Sequence, residues 1–261
     1  MKPFRQAGGM ALGQGALPFH LLLQPAGKGA CVIPIRDTIP SRRFPVVNTA
    51  LIILNGLVFL FEASLGPLAL QSFINQLGLV PARFWAFGGL WRWLFIFTAM
   101  FLHGGWWHLI SNMLALYIFG DNVEDRMGPG RYLIFYLLCG FAAGMAHLFV
   151  YPSSPLPTVG ASGAIAGVLG AYLLLFPHSR VITLIPIFFF FEIIEIPAFF
   201  YLGFWFFAQL FNGLFTLAAR VFQSGGVAWW AHVGGFVAGM ALVPIFRRPP
   251  PRVYVDEYWP W

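Results

Sequence analysis

Apolar stretches of fifteen to twenty residues recur along the chain, separated by short breaks rich in charge, proline or glycine. This spacing predicts helices that cross a bilayer rather than the half-polar helices of a soluble core. The first such stretch is 46–65. Residues 66–105 then read as a long amphipathic segment, rich in aromatics and broken at Pro81 and at Gly88-Gly89, with the part from Leu90 onward in the membrane interface. A second span is expected at 106–123, closed by Asp121, Glu124, Asp125 and Arg126; a third at 131–150; a fourth at 162–176, after a loop carrying Pro152, Pro155 and Pro157. The apolar run 181–221 is too long for one crossing. Glu192, Glu195 and Pro197 divide it into an interfacial piece, 181–196, and a fifth span, 197–217. The sixth, 228–246, ends at Arg247 and Arg248.

Composition agrees with a polytopic membrane protein: 59% of residues are hydrophobic, 9% are charged, and the mean hydropathy is +0.76. The domain layout expected is a largely irregular cytoplasmic arm at 1–45, a six-helix membrane domain at 46–248 and a tail at 249–261. Within the arm, the apolar run 16–23 is interrupted by Pro18 and His20 and does not read as a signal peptide. Cys31 and Cys139 are too few for a disulfide framework and receive no role. There is no phosphate-binding glycine loop, no zinc-spaced Cys/His set and no internal repeat, so neither cofactor nor metal is expected.

The net charge of +6 follows topology and does not imply nucleic acid. With six spans, Lys2, Arg5, Lys28, Arg36, Arg42, Arg43, Arg126, Arg131, Arg180, Arg247, Arg248 and Arg252 fall on one side, and Arg83, Arg92 and Arg220 on the other. The positive-inside rule then places both termini in the cytoplasm.

The chemistry centres on Gly160-Ala161-Ser162-Gly163, where the proline-rich loop turns into the fourth span. The bland reading is close helix packing through small residues. A G-x-S-x-G hydrolase elbow does not apply, because position 164 is Ala and no strand pattern precedes the serine. Position favours more than packing: the fourth span is short, so one of its ends is expected to be sunk below the membrane surface, and irregular backbone at that depth is buried in protein or lines a wet cavity. On the sixth span His232 lies among Ala231, Gly234, Gly235 and Gly239, a small-residue face matching Gly163, Gly167 and Gly170 on the fourth. Packing those faces would bring the Ser162 hydroxyl to the His232 imidazole, a nucleophile and its base. No Asp or Glu is placed to orient His232, which makes the arrangement a dyad. His108 and Asn112, four apart on the second span, together with the Ser162 N–H, are candidate oxyanion donors. Interhelical hydrogen-bond glue or a proton path is the alternative use of the same groups.

Taken together, Trp91-Arg92, the run HGGWWHLISNMLALYIFGDNVED holding His103, His108 and Asn112, then GASGAIAGVLGAY, then AHVGGFVAGM, resemble a rhomboid intramembrane serine protease of the bacterial type, from about residue 32 to 248. The resemblance implies an all-α six-transmembrane-helix bundle, Ser162 as nucleophile, His232 as general base, and His108 with Asn112 at the oxyanion. It further implies Trp91, Arg92 and Glu124 as structural supports and His103 as a water-ordering or structural residue. His147 and His178 match no motif and are read as structural. The implied partners are transmembrane segments of other proteins and the lipid bilayer, with a plasma-membrane location. Substrate entry is expected past the fifth span and the loop 220–227, with Gly225-Gly226 as hinge. The sequence departs from the family where an aromatic often stacks on the dyad histidine: that position is Ala166. A non-catalytic member that binds or escorts membrane clients, and a channel or transporter, are the competing classes.

Overall fold

The computed structural model describes residues 33–187, 190–219 and 226–249. The N-terminal arm up to residue 32 with Cys31, loop residues 220–225 with Arg220 and Gly225, and the tail from residue 250 lie outside the described residues. In chain order the elements are β1 Ile33–Asp37, α1 Val46–Ser64, α2 Pro67–Leu77, α3 Pro81–Ala86, a 3-10 turn Leu90–Trp93, α4 Leu94–Ala99, α5 Trp106–Ala115, a π segment Leu116–Gly120, α6 Asp121–Met127, α7 Pro129–Val150, α8 Ser162–Leu175, β2 Arg180–Ile187, β3 Phe190–Pro197, α9 Ala198–Ala218 and α10 Trp229–Phe246.

Four helices, α1, α7, α9 and α10, are long and apolar enough to cross a bilayer. A fifth crossing is α5 continued through the π segment into α6, and the sixth is α8, whose fourteen residues rise only about 21 Å at ~1.5 Å each. The protein is thus an all-α integral membrane bundle, with span ends within two residues of expectation except where the second helix runs on to Met127. Proline at the first helical position opens α2, α3 and α7, since its missing N–H is not needed there.

Two segments depart from the sequence reading. Residues 181–187 and 190–196, expected to be interfacial, pair as the antiparallel strands β2 and β3, with Val181 opposite Ile196 and Ile182 opposite Glu195. Ile33–Asp37, in the arm expected to be irregular, adds a third strand to β2, with Asp37 opposite Val181. Residues 181–187 are rich in β-branched side chains, which suit a strand better than a helix turn, and here strand pairing prevails. Asp37 ties this sheet to the bundle by accepting from Asn122 Nδ2 at 2.9 Å and from the Tyr172 hydroxyl. Burial pushes its carboxyl up from the ordinary value, and the Tyr172 bond acts against that.

At the centre lies α8, apolar on every side and buried from Gly163 to Tyr172. α10 packs against both α7 and α8, while α1 and α9 turn residues such as Leu57, Phe204 and Phe211 outward, where lipid replaces a protein partner. Glu124 links the helices of the first and second spans. Its buried carboxylate accepts from Val47 N at 3.1 Å and Asn48 N at 2.7 Å, satisfying two donors at the start of α1, where a negative charge also suits the helix dipole. Glu124→Ala would leave both donors buried and unpaired. The expected cost is about 2–4 kcal/mol, seen as a lower thermal unfolding temperature in detergent, with Glu124→Gln losing less.

Candidate active site

The serine is positioned by the loop before it. This loop is held by backbone bonds to the segment after α2 and to the end of α4: Leu79 and Thr158 exchange N–H···O bonds of 3.0 and 2.8 Å, and Gly160 N donates to Ala99 O at 2.9 Å. Those pairings satisfy backbone groups that would otherwise be left without a partner. Gly160 adopts φ 125°, and a side chain there would also run into the His108 ring, its Cβ falling 2.6 Å from Nε2. Glycine is required on both counts, and Ser162 follows as the first residue of α8.

The fourth and sixth spans meet as their small faces suggested. A Cβ on Gly235 would press into the carbonyl of Gly163, one on Gly239 into that of Gly167, and one on Gly170 into that of Phe236. Gly234 is the exception: it faces Ala146 and Ala142 of α7, so α10 is wedged between two helices rather than paired with one. The result is a distance of 2.8 Å between Ser162 Oγ and His232 Nε2.

The other ring nitrogen of His232, Nδ1, lies 2.7 Å from Oε1 of Gln209 on α9. An amide oxygen only accepts, so with Oε1 turned to the ring Nδ1 would carry the proton and the Nε2 lone pair would be left for the serine hydroxyl. Trp205, one turn earlier on α9, packs its ring 5.8 Å from the imidazole at 34°. Sequence reasoning missed both residues. The one available signal was a polar side chain within a span, which Gln209 is. At position 166 the alanine is fully buried, and the ring that packs on His232 comes from α9 instead.

His108 Nδ1 accepts from Gly104 N at 3.3 Å, which puts the ring proton on Nε2, the atom that faces Gly160. One turn on, Asn112 is buried and its Nδ2 has no partner among the described residues. The two therefore present donors with unused capacity on the same face of α5. His103 is buried, and neither ring nitrogen has a hydrogen-bond partner among the described residues. Its ring meets that of His108 edge-on at 5.2 Å, and its backbone N donates to the buried Glu62 at 3.1 Å.

Trp91 and Arg92 lie away from these groups. Trp91 is 78% exposed, and the Arg92 guanidinium sits over Phe84 at 5.1 Å and Trp93 at 5.3 Å, bracing the segment between α3 and α4. His147, read as structural, reaches the site's surroundings: its Nε2 lies 2.8 Å from Thr158 Oγ1, and together with Ser162, Gly160 and Ala231 it lines a cavity of about 40 Å³. That is room for a few waters beside the hydroxyl. His178 is on an exposed turn after α8.

A family model described as Rhomboid domain matches residues 88–249. Rhomboid protein 1, mitochondrial, of Saccharomyces cerevisiae is 30% identical over 149 residues, 56% of this chain and 39% of that protein. Rhomboid protease GluP of Bacillus subtilis is 46% identical over 82 residues, 31% of this chain and 16% of that protein. RHOMBOID-like protein 5 of Arabidopsis thaliana is 30% identical over 189 residues, 70% of this chain and 52% of that protein. The chain thus spans about half or less of the length of these relatives.

Proposed function

The chain belongs to the rhomboid family of integral membrane proteins, and from that premise we propose that it is an intramembrane serine endopeptidase working through a Ser162–His232 dyad. The observation that carries the reading is the 2.8 Å approach of Ser162 Oγ to a His232 nitrogen whose lone pair is free. In this reaction Ser162 Oγ bonds to the scissile carbonyl carbon as its proton passes to His232 Nε2, and the carbonyl electron pair moves onto oxygen. His108 Nε2–H, the Asn112 amide and the Ser162 N–H stabilise that oxyanion; each such donor is worth about 3 kcal/mol. Collapse breaks the C–N bond, and His232 returns the proton to the leaving amine. Water from the cavity beside Ser162 then attacks the acyl carbon as its proton passes to His232; the acyl–Oγ bond breaks, His232 returns the proton to Ser162 Oγ, and the carboxyl product leaves.

Residues 46–248 form the protease unit in this reading, embedded in a bacterial plasma membrane with both termini cytoplasmic. The substrates are transmembrane segments of other proteins. A helix hides its carbonyls in its own hydrogen bonds, so a substrate must unwind at the scissile bond, and sites rich in Gly or other weak helix formers are preferred. Entry past α9 suits a helix that turns much of its surface outward. The test is labelling of the detergent-purified protein with a serine-reactive fluorophosphonate. Mass mapping is expected to find the adduct on Ser162 and no label in Ser162→Ala. A wild-type protein that takes no label at Ser162, yet binds a transmembrane client, would replace the protease reading with that of a non-catalytic client-binding protein.

A further inference from the structure

A general base at Ser162 needs one particular form of the His232 imidazole. In the neutral ring a single proton is shared between two nitrogens, and only the Nδ1–H tautomer leaves Nε2 able to take the serine proton. Nothing in the Ser162 hydroxyl selects that form, because a hydroxyl accepts as readily as it donates. The choice falls to whatever faces Nδ1. His232 is 8% exposed, so an Nδ1–H without an acceptor would be a buried unpaired donor, and the ring would turn or change tautomer to avoid it. The group facing Nδ1 is Gln209 Oε1 at 2.7 Å, on a side chain that is itself 8% exposed. Trp205, four residues earlier on the same face of α9, packs a tilted ring against the imidazole, 5.8 Å between centroids at 34°. Both constraints come from α9, and none from α8, where Ala166 offers only a methyl group.

Resting on the dyad reading above, we infer that Gln209, backed by Trp205, is the positioning residue that holds His232 in its basic tautomer, so that the seating of α9 and the competence of the dyad are one event. A substrate that enters by displacing α9 pulls Gln209 Oε1 away from Nδ1, and the base is restored only when α9 reseats against α10.

The experiment compares wild type, Gln209→Leu, Gln209→Glu and Ser162→Ala, as full-length chains in proteoliposomes, with a single-span model substrate carrying a Gly-containing segment near its outer end. Gln209→Leu keeps the bulk and removes the acceptor: kcat is expected to fall about 10- to 100-fold with KM within about twofold. Gln209→Glu keeps an acceptor at Nδ1 and is expected to hold kcat within about threefold of wild type. Nitrogen NMR of histidine-labelled protein, with His232 assigned by its loss in His232→Ala, reads the tautomer without turnover. Wild type is expected to show the lone pair on Nε2, and Gln209→Leu to lose that preference. If wild type turns over and Gln209→Leu matches its kcat, or if the two share one tautomer, the positioning role is wrong and the dyad stands. If wild type shows no Ser162-dependent cleavage, the dyad reading falls and this one with it.

Discussion

His232→Ala is expected to lower cleavage of a transmembrane substrate by on the order of 10⁴- to 10⁶-fold, and Ser162→Ala by as much. The serine hydroxyl is a weak nucleophile until its proton has somewhere to go, and in the proposed dyad Nε2 of His232, at 2.8 Å, is the base that takes it. Residues that act as one unit lose their contribution together. The double variant is therefore expected to be no slower than either single one, the residue of activity coming from substrate binding and the oxyanion donors. The measurement is initial cleavage rate in proteoliposomes, with thermal unfolding confirming that each variant is folded. A His232→Ala protein retaining a tenth of wild-type rate would remove the histidine from the mechanism.

Gly239→Val is expected to be the most destabilising single change at the helix contacts described. A Cβ there would fall inside contact distance of the carbonyl, Cα and O of Gly167, all backbone atoms of a buried helix that has no slack to yield. Overpacking against mobile side chains costs about 1–3 kcal/mol, and against fixed backbone the cost lies at or above the top of that range. Either α10 lifts off α8 or the protein fails to assemble. Loss of the folded fraction in detergent, or a sharply lowered unfolding temperature, is the readout. Gly56→Ala is the control, because a Cβ on Gly56 meets nothing within 4 Å, and its unfolding temperature should stay close to wild type. Any Gly239→Val protein that does fold should also be slow, since His232 lies two turns along the same helix and a 1 Å displacement of a reacting group can cost about 10²-fold.

The spans were legible because bilayer thickness sets a length that apolar runs either meet or miss. The pairing of α8 with α10 was legible for a related reason: glycines at matching intervals on two helices have few other uses within a membrane. The sheet was less so. An apolar run such as 181–196 carries no periodicity that separates strand from helix, and only its β-branched content, Val181, Ile182, Thr183, Ile185 and Ile187, hinted at pairing. Gln209 was hidden differently. As a single amide on an apolar helix it states a need for a partner without saying which, and twenty-three residues separate it from His232.

What the residue order settles here is the number of crossings and the short list of polar groups expensive enough in lipid to demand a purpose, because each follows from local length or local solvation. Which of those groups meet is a matter of helix rotation and approach, which depend on every contact at once. The fold alone therefore decides that His232 is held from α9 rather than from position 166, and that His147 borders the cavity at Ser162.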